Sequence, residues 1–475
     1  MNAIPPKAPR PVMAAARTTL AEDLGRFAVE LRYDAVPATV RERGKHLILD
    51  AVGIAFTSTR YDFAKVALAA LEEFGGGPAA VIGVGRRLAL RDAVLMNGIL
   101  IHGLDYDDTH SRGVVHATTS SFPCALAVAD WQEADGKALL AAYVAAMEVS
   151  TRLGAVAKGG FHQVGFHPTG LVGAFGCALA AARLLGLGAD RAAMAQGIAL
   201  SMASGSLEFL QDGAWTKRMH PGWAGVAGIT AAMLAKHGYV GPRETYEGRF
   251  GLYASHLGPL AEQADYSLAT EGLGRSWQID EVAIKPIPAC HFTHAAADAA
   301  IELHKAHGLS GEAIRRVRAL VPREVVKTVC EPVANKRAPA NSYDAQFSIP
   351  YIVATGLLKG RFTLDELEDE ALRDAAVLEL AGRVEYEVDP ASTFPRHYTG
   401  EVVIETADGR TLRHREAVNR GCADRPLGNA EIVDKFFDNA TRTLSRDRAA
   451  RVRDAVLTLD ERSARDLADA LSSAC

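Results

Sequence analysis

The sequence His102-Gly103-Leu104-Asp105-Tyr106-Asp107-Asp108-Thr109-His110, with His116 close behind, gathers carboxylates and imidazoles into one short stretch. It follows directly on an apolar, helix-spaced segment from Leu90 to His102, so the aspartates fall at or just past a helix C-terminus. That end of the helix dipole repels carboxylates. Three aspartates there call for a cationic partner, a capped turn or a functional site; a solvated turn with Asx bonding is the plain alternative. Further on, Gly165-Phe166-His167-Pro168-Thr169-Gly170 opens a helix near Leu171. A helix N-terminus offers free N–H groups to a carboxylate, and His167 there can donate to an anion or shuttle a proton. Taken alone, it is equally well a loop histidine without a role.

Two more stretches carry cations. Trp215-Thr216-Lys217-Arg218-Met219-His220-Pro221-Gly222-Trp223 sets a Lys-Arg-His group between tryptophans, just before an apolar helix expected over Ala224 to Leu234. Such a group suits a small anion. In Lys285-Pro286-Ile287-Pro288-Ala289-Cys290-His291-Phe292-Thr293-His294, prolines fix the path and hold Lys285 at a strand end. A fifth stretch, Asp344 to Tyr351, puts polar and aromatic groups at a helix start. Ammonium groups that grip carboxylates, with imidazoles that move a proton near neutral pH, are the equipment for chemistry beside a carboxylate. A lysine about 4 Å from a carboxylate gains roughly 4 kcal/mol at an effective dielectric near 20.

Helices must position most of these groups. Thr19-Leu20-Ala21-Glu22 fits a capping box, and amphipathic or Ala/Gly-rich helical segments follow over Val40–Phe56, Leu90–His102, Gly136–Val156, Leu171–Leu185 and from Arg191. The character changes near Gly272. Short strands are expected at Val282–Lys285, Ile314–Val321, Val384–Val388 and Val402–Thr406, with a hairpin turn at Asp408-Gly409. Helices are expected over Thr293–His307 and Ala345–Leu358, the latter interrupted near Pro350, and again from Leu427. The expectation is a mainly α protein. A large helical domain takes residues 18–272 and 418–475, a smaller α+β lid domain is inserted over residues 273–417, and residues 1–17 form a loose N-terminal tail. A cleft between domains is a common ligand site.

The chain has 475 residues, 48% hydrophobic and 23% charged, with a net charge of −5. Nucleic acid is a poor partner, because phosphate binding needs clustered Lys and Arg. No run of apolar residues long enough to span a membrane and free of charge occurs, and Met1 to Arg17 has no apolar core of the signal-peptide kind. Six scattered cysteines without a Cys-x-x-Cys pair argue against zinc ribbons and a disulfide framework. A reducing cytoplasm is the expected setting.

Taken in order, His-Gly-Leu-Asp-Tyr-Asp-Asp-Thr, Phe-His-Pro-Thr, Trp-Thr-Lys-Arg-Met-His-Pro-Gly-Trp and Lys-Pro-Ile-Pro-Ala-Cys-His-Phe-Thr-His resemble the MmgE/PrpD family. That family holds 2-methylcitrate dehydratases, cis-aconitate decarboxylases and an iminodisuccinate epimerase. The resemblance runs from about Leu20 to Phe437 and implies a homodimer that uses no metal and no organic cofactor. It implies a pocket of Asp105, Thr109, His116, His167, Lys217, Lys285 and Tyr351. Asp105, His116, His167, Lys217 and Lys285 are the expected catalytic groups; Thr109, Arg218, His220, Cys290 and Tyr351 are expected to bind the substrate. Cys290 stands where decarboxylases of the family carry a pocket histidine, so the leading expectation is dehydration of a 2-methylcitrate-like polycarboxylate. Cis-aconitate decarboxylation and dicarboxylate epimerisation follow.

A different class of reading makes Asp105, Asp107, Asp108, His102, His110 and His116 the divalent-metal site of a hydrolase, since carboxylates and imidazoles suit such ions. The neighbouring basic stretches and the lack of a His-Asp dipeptide weigh against it. A catalytically inert scaffold is the third reading; it has no need to keep Lys217, His167 and Lys285.

Overall fold

The computed structural model describes residues 18–472; the N-terminal tail and Cys475 lie outside them. The helices that frame the site are α1 (Leu20–Glu30), α2 (Ala38–Ser58), α3 (Leu90–His102), α4 (Thr118–Trp131), α5 (Gly136–Val156), α6 (Pro168–Leu184), α7 (Ala189–Ala199) and α8 (Thr216–Lys236). Two more, α9 (His294–His307) and α10 (Ile349–Lys359), belong to the second half, and α11 (Asn429–Ala440) lies near the C-terminus. Thr19 caps α1 through the expected box: its hydroxyl accepts from the Glu22 N–H while the Glu22 carboxylate accepts from the Thr19 N–H.

Helix α8 is the axis of the helical region and packs on α3, α6 and α7, while α5 packs on α6. Small residues permit these close approaches. At the crossing of α3 and α8, a Cβ on Gly98 would collide with the backbone of Gly222, and one on Gly222 with the backbone of Leu95. Helix α5 is long and apolar enough to cross a membrane, yet every residue from Leu139 to its end is buried by its neighbours. It carries the buried ion pair Glu148–Arg152, with a separation of 3.1 Å. Helix α11 returns to pack on α2, where Phe436 lies against Gly53. Both ends of the chain therefore contribute to one helical assembly.

The four-stranded sheet comprises β1 (Ile314–Val321), β2 (Val384–Val388), β3 (Gly400–Thr406) and β4 (Thr411–Glu416) in the order β2-β1-β3-β4. Strands β1 and β2 are parallel, with Val317 opposite Val384, and the other two pairings are antiparallel. Gly409, at φ 88°, turns the β3–β4 hairpin at the expected place. Helices α9 and α10 pack together, and α9 also packs on β3 and β4. Pro350 acts as foreseen: a short helix ends at Gln346, and α10 begins at Ile349 with proline in its first turn.

One expectation is corrected. The Lys217-Arg218-His220 group does not precede the helix; it forms the opening turns of α8, which begins at Thr216 and runs through Pro221. Pro221 is the sixth residue of α8 and forfeits its hydrogen bond to the Lys217 carbonyl, yet the helix continues through it, so the proline does not mark the boundary here.

The Gly98–Gly222 crossing fixes how far the end of α3 stands from the start of α8. Gly98→Ala is expected to destabilise the protein by about 1–3 kcal/mol through overpacking, read as a lower denaturant midpoint. An unchanged midpoint would show that the helices have room to spare.

Candidate active site

Helix α3 ends at His102, and the chain passes into a loop whose next four carbonyls are each gripped by a side chain from a different part of the sequence. Arg218 Nε donates to the Gly103 carbonyl at 2.8 Å, Gln346 Nε2 to that of Leu104, Lys285 Nζ to that of Asp105 at 2.9 Å and Lys435 Nζ to that of Tyr106 at 2.8 Å. Carbonyls just beyond a helix C-terminus attract cations, and three of these four donors are charged. The clamp holds Asp105 at φ 48°, a left-handed conformation that non-glycine residues seldom adopt.

So held, the Asp105 carboxylate receives two lysines: Oδ1 accepts from Lys217 Nζ at 2.9 Å and from Lys285 Nζ at 2.7 Å. Both lysines are buried. Burial drives the Asp105 pKa upward, but the two ammonium groups pull harder and leave it far below the usual carboxylate range. Lys285 is raised for the reciprocal reason: burial lowers it, and Asp105 with Asp107 more than compensates. This is the cationic partner that the misplaced aspartates required.

Asp107 faces the imidazoles. Its carboxylate accepts from His102 Nδ1 at 3.0 Å and stands 3.0 Å from His116 Nδ1. Burial raises its pKa, and His102 and His116 pull it back well below the ordinary value. His116 Nδ1 also lies 2.8 Å from the Asp108 carbonyl and 3.4 Å from the Thr109 hydroxyl. With Nδ1 so engaged, His116 has Nε2 left for the cavity it lines. Asp108 turns away to the Thr118 hydroxyl and N–H, and burial pushes its carboxyl up to about 7 against those bonds. The three carboxylates thus serve two lysines, two histidines and a threonine. One oxygen each of Asp105 and Asp107 comes within 4.8 Å of a His116 nitrogen, but Asp105 is bound by two ammonium groups and Asp108 faces Thr118, which leaves a poor cradle for the cation of the hydrolase reading.

Lys217, Lys285, Asp105, Thr109, His116 and His167 line one cavity, together with Cys290. His167 precedes α6 at its N-cap, and its Nδ1 lies 3.1 Å from His220 Nδ1. The ring centroids of His102, His116 and His167 are 4.7 to 5.7 Å apart. Burial lowers all three pKa values, that of His102 to about 4, so the imidazoles rest neutral. Burial likewise pushes the Cys290 thiol up to about 11, which denies it thiolate character.

Three expected binding residues sit elsewhere. Tyr351 is buried within α10 and donates its hydroxyl to the Glu366 carbonyl at 2.8 Å, away from the cavity; the tyrosine on the wall is Tyr398. Arg218 points its guanidinium between the rings of Phe63 and Tyr343, 4.4 and 4.1 Å from their centroids, and acts on the loop backbone. His220 supports His167 from behind. Conversely, His162, His291, Phe209 and Phe347 line the cavity without having been singled out as binding groups. His162 stands five residues before His167, a weak signal; Phe347 packs 4.9 Å beneath the Lys217 ammonium, which no spacing announces.

Burial holds His102, His162 and His220 near 4 and His110 near 3, whereas unfolded histidine titrates at about 6.5. The stability these groups confer is complete above about pH 6.5 and is lost as pH falls from there toward 4, because only the unfolded chain takes up the protons. Asp108 and Glu148, raised by burial to about 7, act in the opposite sense over that interval, but they are fewer. The melting temperature is expected to fall between about pH 7 and 5, with net proton uptake on unfolding. A rise toward pH 5 would overturn the assignment of neutral imidazoles.

The profile of the MmgE/PrpD N-terminal domain matches residues 22–263, and that of the MmgE/PrpD C-terminal domain matches residues 287–461. The chain is 27% identical to a cis-aconitate decarboxylase-like protein of Aspergillus oryzae, over 92% of this chain and 94% of that one. It is 30% identical to human cis-aconitate decarboxylase, over 86% and 85% respectively. It is 25% identical to the 2-methylcitrate dehydratase of Escherichia coli, over 87% and 88%. With its lysine-bound aspartate, its histidine-lined cavity and both domain profiles matched, the chain belongs to the MmgE/PrpD family and is a lyase of that type.

Proposed function

We propose that this lyase removes a carboxyl group from a small unsaturated tricarboxylate of the cis-aconitate kind. The observation that carries the proposal is the pair of buried ammonium groups, Lys217 and Lys285, held on one oxygen of Asp105 at the wall of a cavity that also holds His116. An ammonium has three donors, so each lysine keeps donor capacity for a substrate carboxylate while bound to Asp105. When the C–C bond to the departing carboxyl breaks, its electron pair spreads over the adjoining carbons and a remaining carboxylate. The lysines stabilise that charge, carbon dioxide leaves, and His116 or His167 delivers a proton to carbon. Asp107 orients His116 and stabilises its imidazolium. The resting imidazoles are neutral, and the substrate supplies the remedy: its carboxylates raise their proton affinity as it binds.

The same groups suit dehydration of a 2-methylcitrate-like acid, the leading expectation from sequence. A neutral imidazole would then take the proton beside a carboxylate, and an imidazolium would protonate the departing hydroxyl. The 30% and 27% identities to decarboxylase-type relatives, against 25% to dehydratases, favour decarboxylation. Cys290 lies on the cavity wall, at the position where the family resemblance implies a histidine in decarboxylases, and this supports dehydration as the second reading.

Proton NMR on the purified protein, given cis-aconitate and 2-methylcitrate separately, distinguishes loss of carbon dioxide from loss of water. Turnover of 2-methylcitrate alone would overturn the first reading, and turnover of neither would overturn both. His116→Gln is expected to lower kcat by about 10²–10⁴ and Lys285→Met by about 10²–10³. Substrate binding is expected to take up protons, seen as a binding heat that varies with the ionisation enthalpy of the buffer. A heat independent of buffer would refute proton uptake by the imidazoles.

The pairing of two copies is also our inference. Met219, Trp223 and Leu234 leave an exposed apolar face on α8, each 38–40% accessible. A dimer in sedimentation velocity, reduced to monomer by Trp223→Glu, is expected; a monomeric parent protein would refute it.

A further inference from the structure

His116 and His167 on the cavity wall, with His102 behind them, have an arrangement that proton transfer alone does not demand. One nitrogen from each of His102, His116 and His167 lies within 4.8 Å of the other two, and all three side chains are buried. The Nδ1 atoms are already engaged: those of His102 and His116 by Asp107, and that of His167 by His220. The Nε2 atoms of His102 and His167 are buried and have no hydrogen-bond partner. A buried polar atom without a partner costs stability; two of them in one cluster of three imidazoles mark a place where a Lewis acid would be welcome.

We infer that His102, His116 and His167 form a binding site for a first-row transition-metal ion, with Zn²⁺ the fitting probe, and that occupancy blocks the proton transfers proposed above. Neutral imidazole is a preferred ligand for zinc. A carboxylate on the far nitrogen of a ligating histidine is the arrangement that orients such ligands and strengthens them, and Asp107 supplies it to two of the three rings. Zinc–nitrogen bonds of 2.0–2.1 Å in a tetrahedral site need ligand nitrogens about 3.3 Å apart, so the rings must close slightly. The fourth position is open to water or to a substrate carboxylate. Lys217 and Lys285 oppose a cation nearby, but both rest on Asp105, and Asp107 adds a negative charge on the imidazole side. The site lies beside the lysine-bound carboxylate and does not use it, which separates it from the aspartate-based metal centre considered from sequence. The blocking consequence, though not the binding, rests on the acid–base roles proposed for His116 and His167.

The test is direct binding to metal-free protein, with no tricarboxylate present, since such acids themselves sequester zinc. Calorimetric titration with Zn²⁺ at neutral pH is expected to saturate at one ion per chain. Asp107→Asn is expected to weaken binding about 10–100-fold, and His102→Gln to weaken it further. His307→Gln, an exposed histidine, is expected to leave binding unchanged. Melting curves show whether each variant is folded. Should His102→Gln fail to fold, Co²⁺ in the parent protein decides: intense visible bands of a four- or five-coordinate nitrogen site support the inference, and the weak spectrum of an octahedral oxygen site overturns it. Absence of saturable zinc binding, or binding that His102→Gln leaves intact, also overturns it. A protein that binds zinc as described but turns over none of the acids would keep this site and lose the catalytic reading; turnover without zinc binding would do the reverse.

Discussion

A carboxylate held between two buried ammonium groups is the interaction on which the rest of this structure depends. Asp105, Lys217 and Lys285 come from a loop, the first turn of a helix and a position two residues past the short strand Val282–Ala283. Burying any one of the three charges alone would be prohibitively unfavourable. Their mutual neutralisation leaves one positive charge, carried on donors that already face a cavity. Removing the carboxylate would leave two lysines repelling each other in a low-dielectric setting; removing a lysine would leave the other neutralised by Asp105, with no net positive charge to attract an anion. The centre is therefore an anion receptor whose strength is set by a resident anion.

The second carboxylate does different work by the same logic. Asp107 faces imidazoles, and its charge is available to whichever ring takes a proton. Separating the two aspartates by a single residue, with Asp105 in a left-handed conformation, sends neighbouring side chains to opposite partners. A regular helix or strand would not place Asp105 on the lysines and Asp107 on the histidines across so short a distance. The unusual backbone is maintained by the four side-chain donors on consecutive carbonyls, and those donors are the physical link between the helical assembly and the chemistry.

Much of this was legible in the sequence wherever local rules suffice. The capping box at Thr19, the helix over Leu90–His102, strands β1 and β2 and the turn at Gly409 follow from periodicity and punctuation, and the structure reproduces them. The aspartates past a helix C-terminus announced that cations must come from elsewhere, and Lys217 and Lys285 stood out by type and setting. What was not legible depends on which side of a folded element faces which neighbour. Arg218 adjoins Lys217 in sequence, but one helical step of about 100° turns it out of the cavity and onto Phe63, Tyr343 and the loop carbonyl. Tyr351 was drawn to the pocket by resemblance and is consumed by a carbonyl, whereas Tyr398, in a stretch with no chemical signature, reaches it. Lys435 and Gln346 hold the loop from far along the chain, and no local pattern encodes a partner at such a separation.

That last separation bears on how the protein is made. The lysine on the Tyr106 carbonyl lies 329 positions downstream, so a growing polypeptide emerging from the ribosome reaches α8 and Lys285 long before the loop can be completed. Until α11 docks on α2, the loop carrying both aspartates lacks its final tether. Translation must pass Asn429–Ala440 before the centre acquires its shape, and a message cut short upstream of that helix yields a product with the reactive side chains present but unassembled.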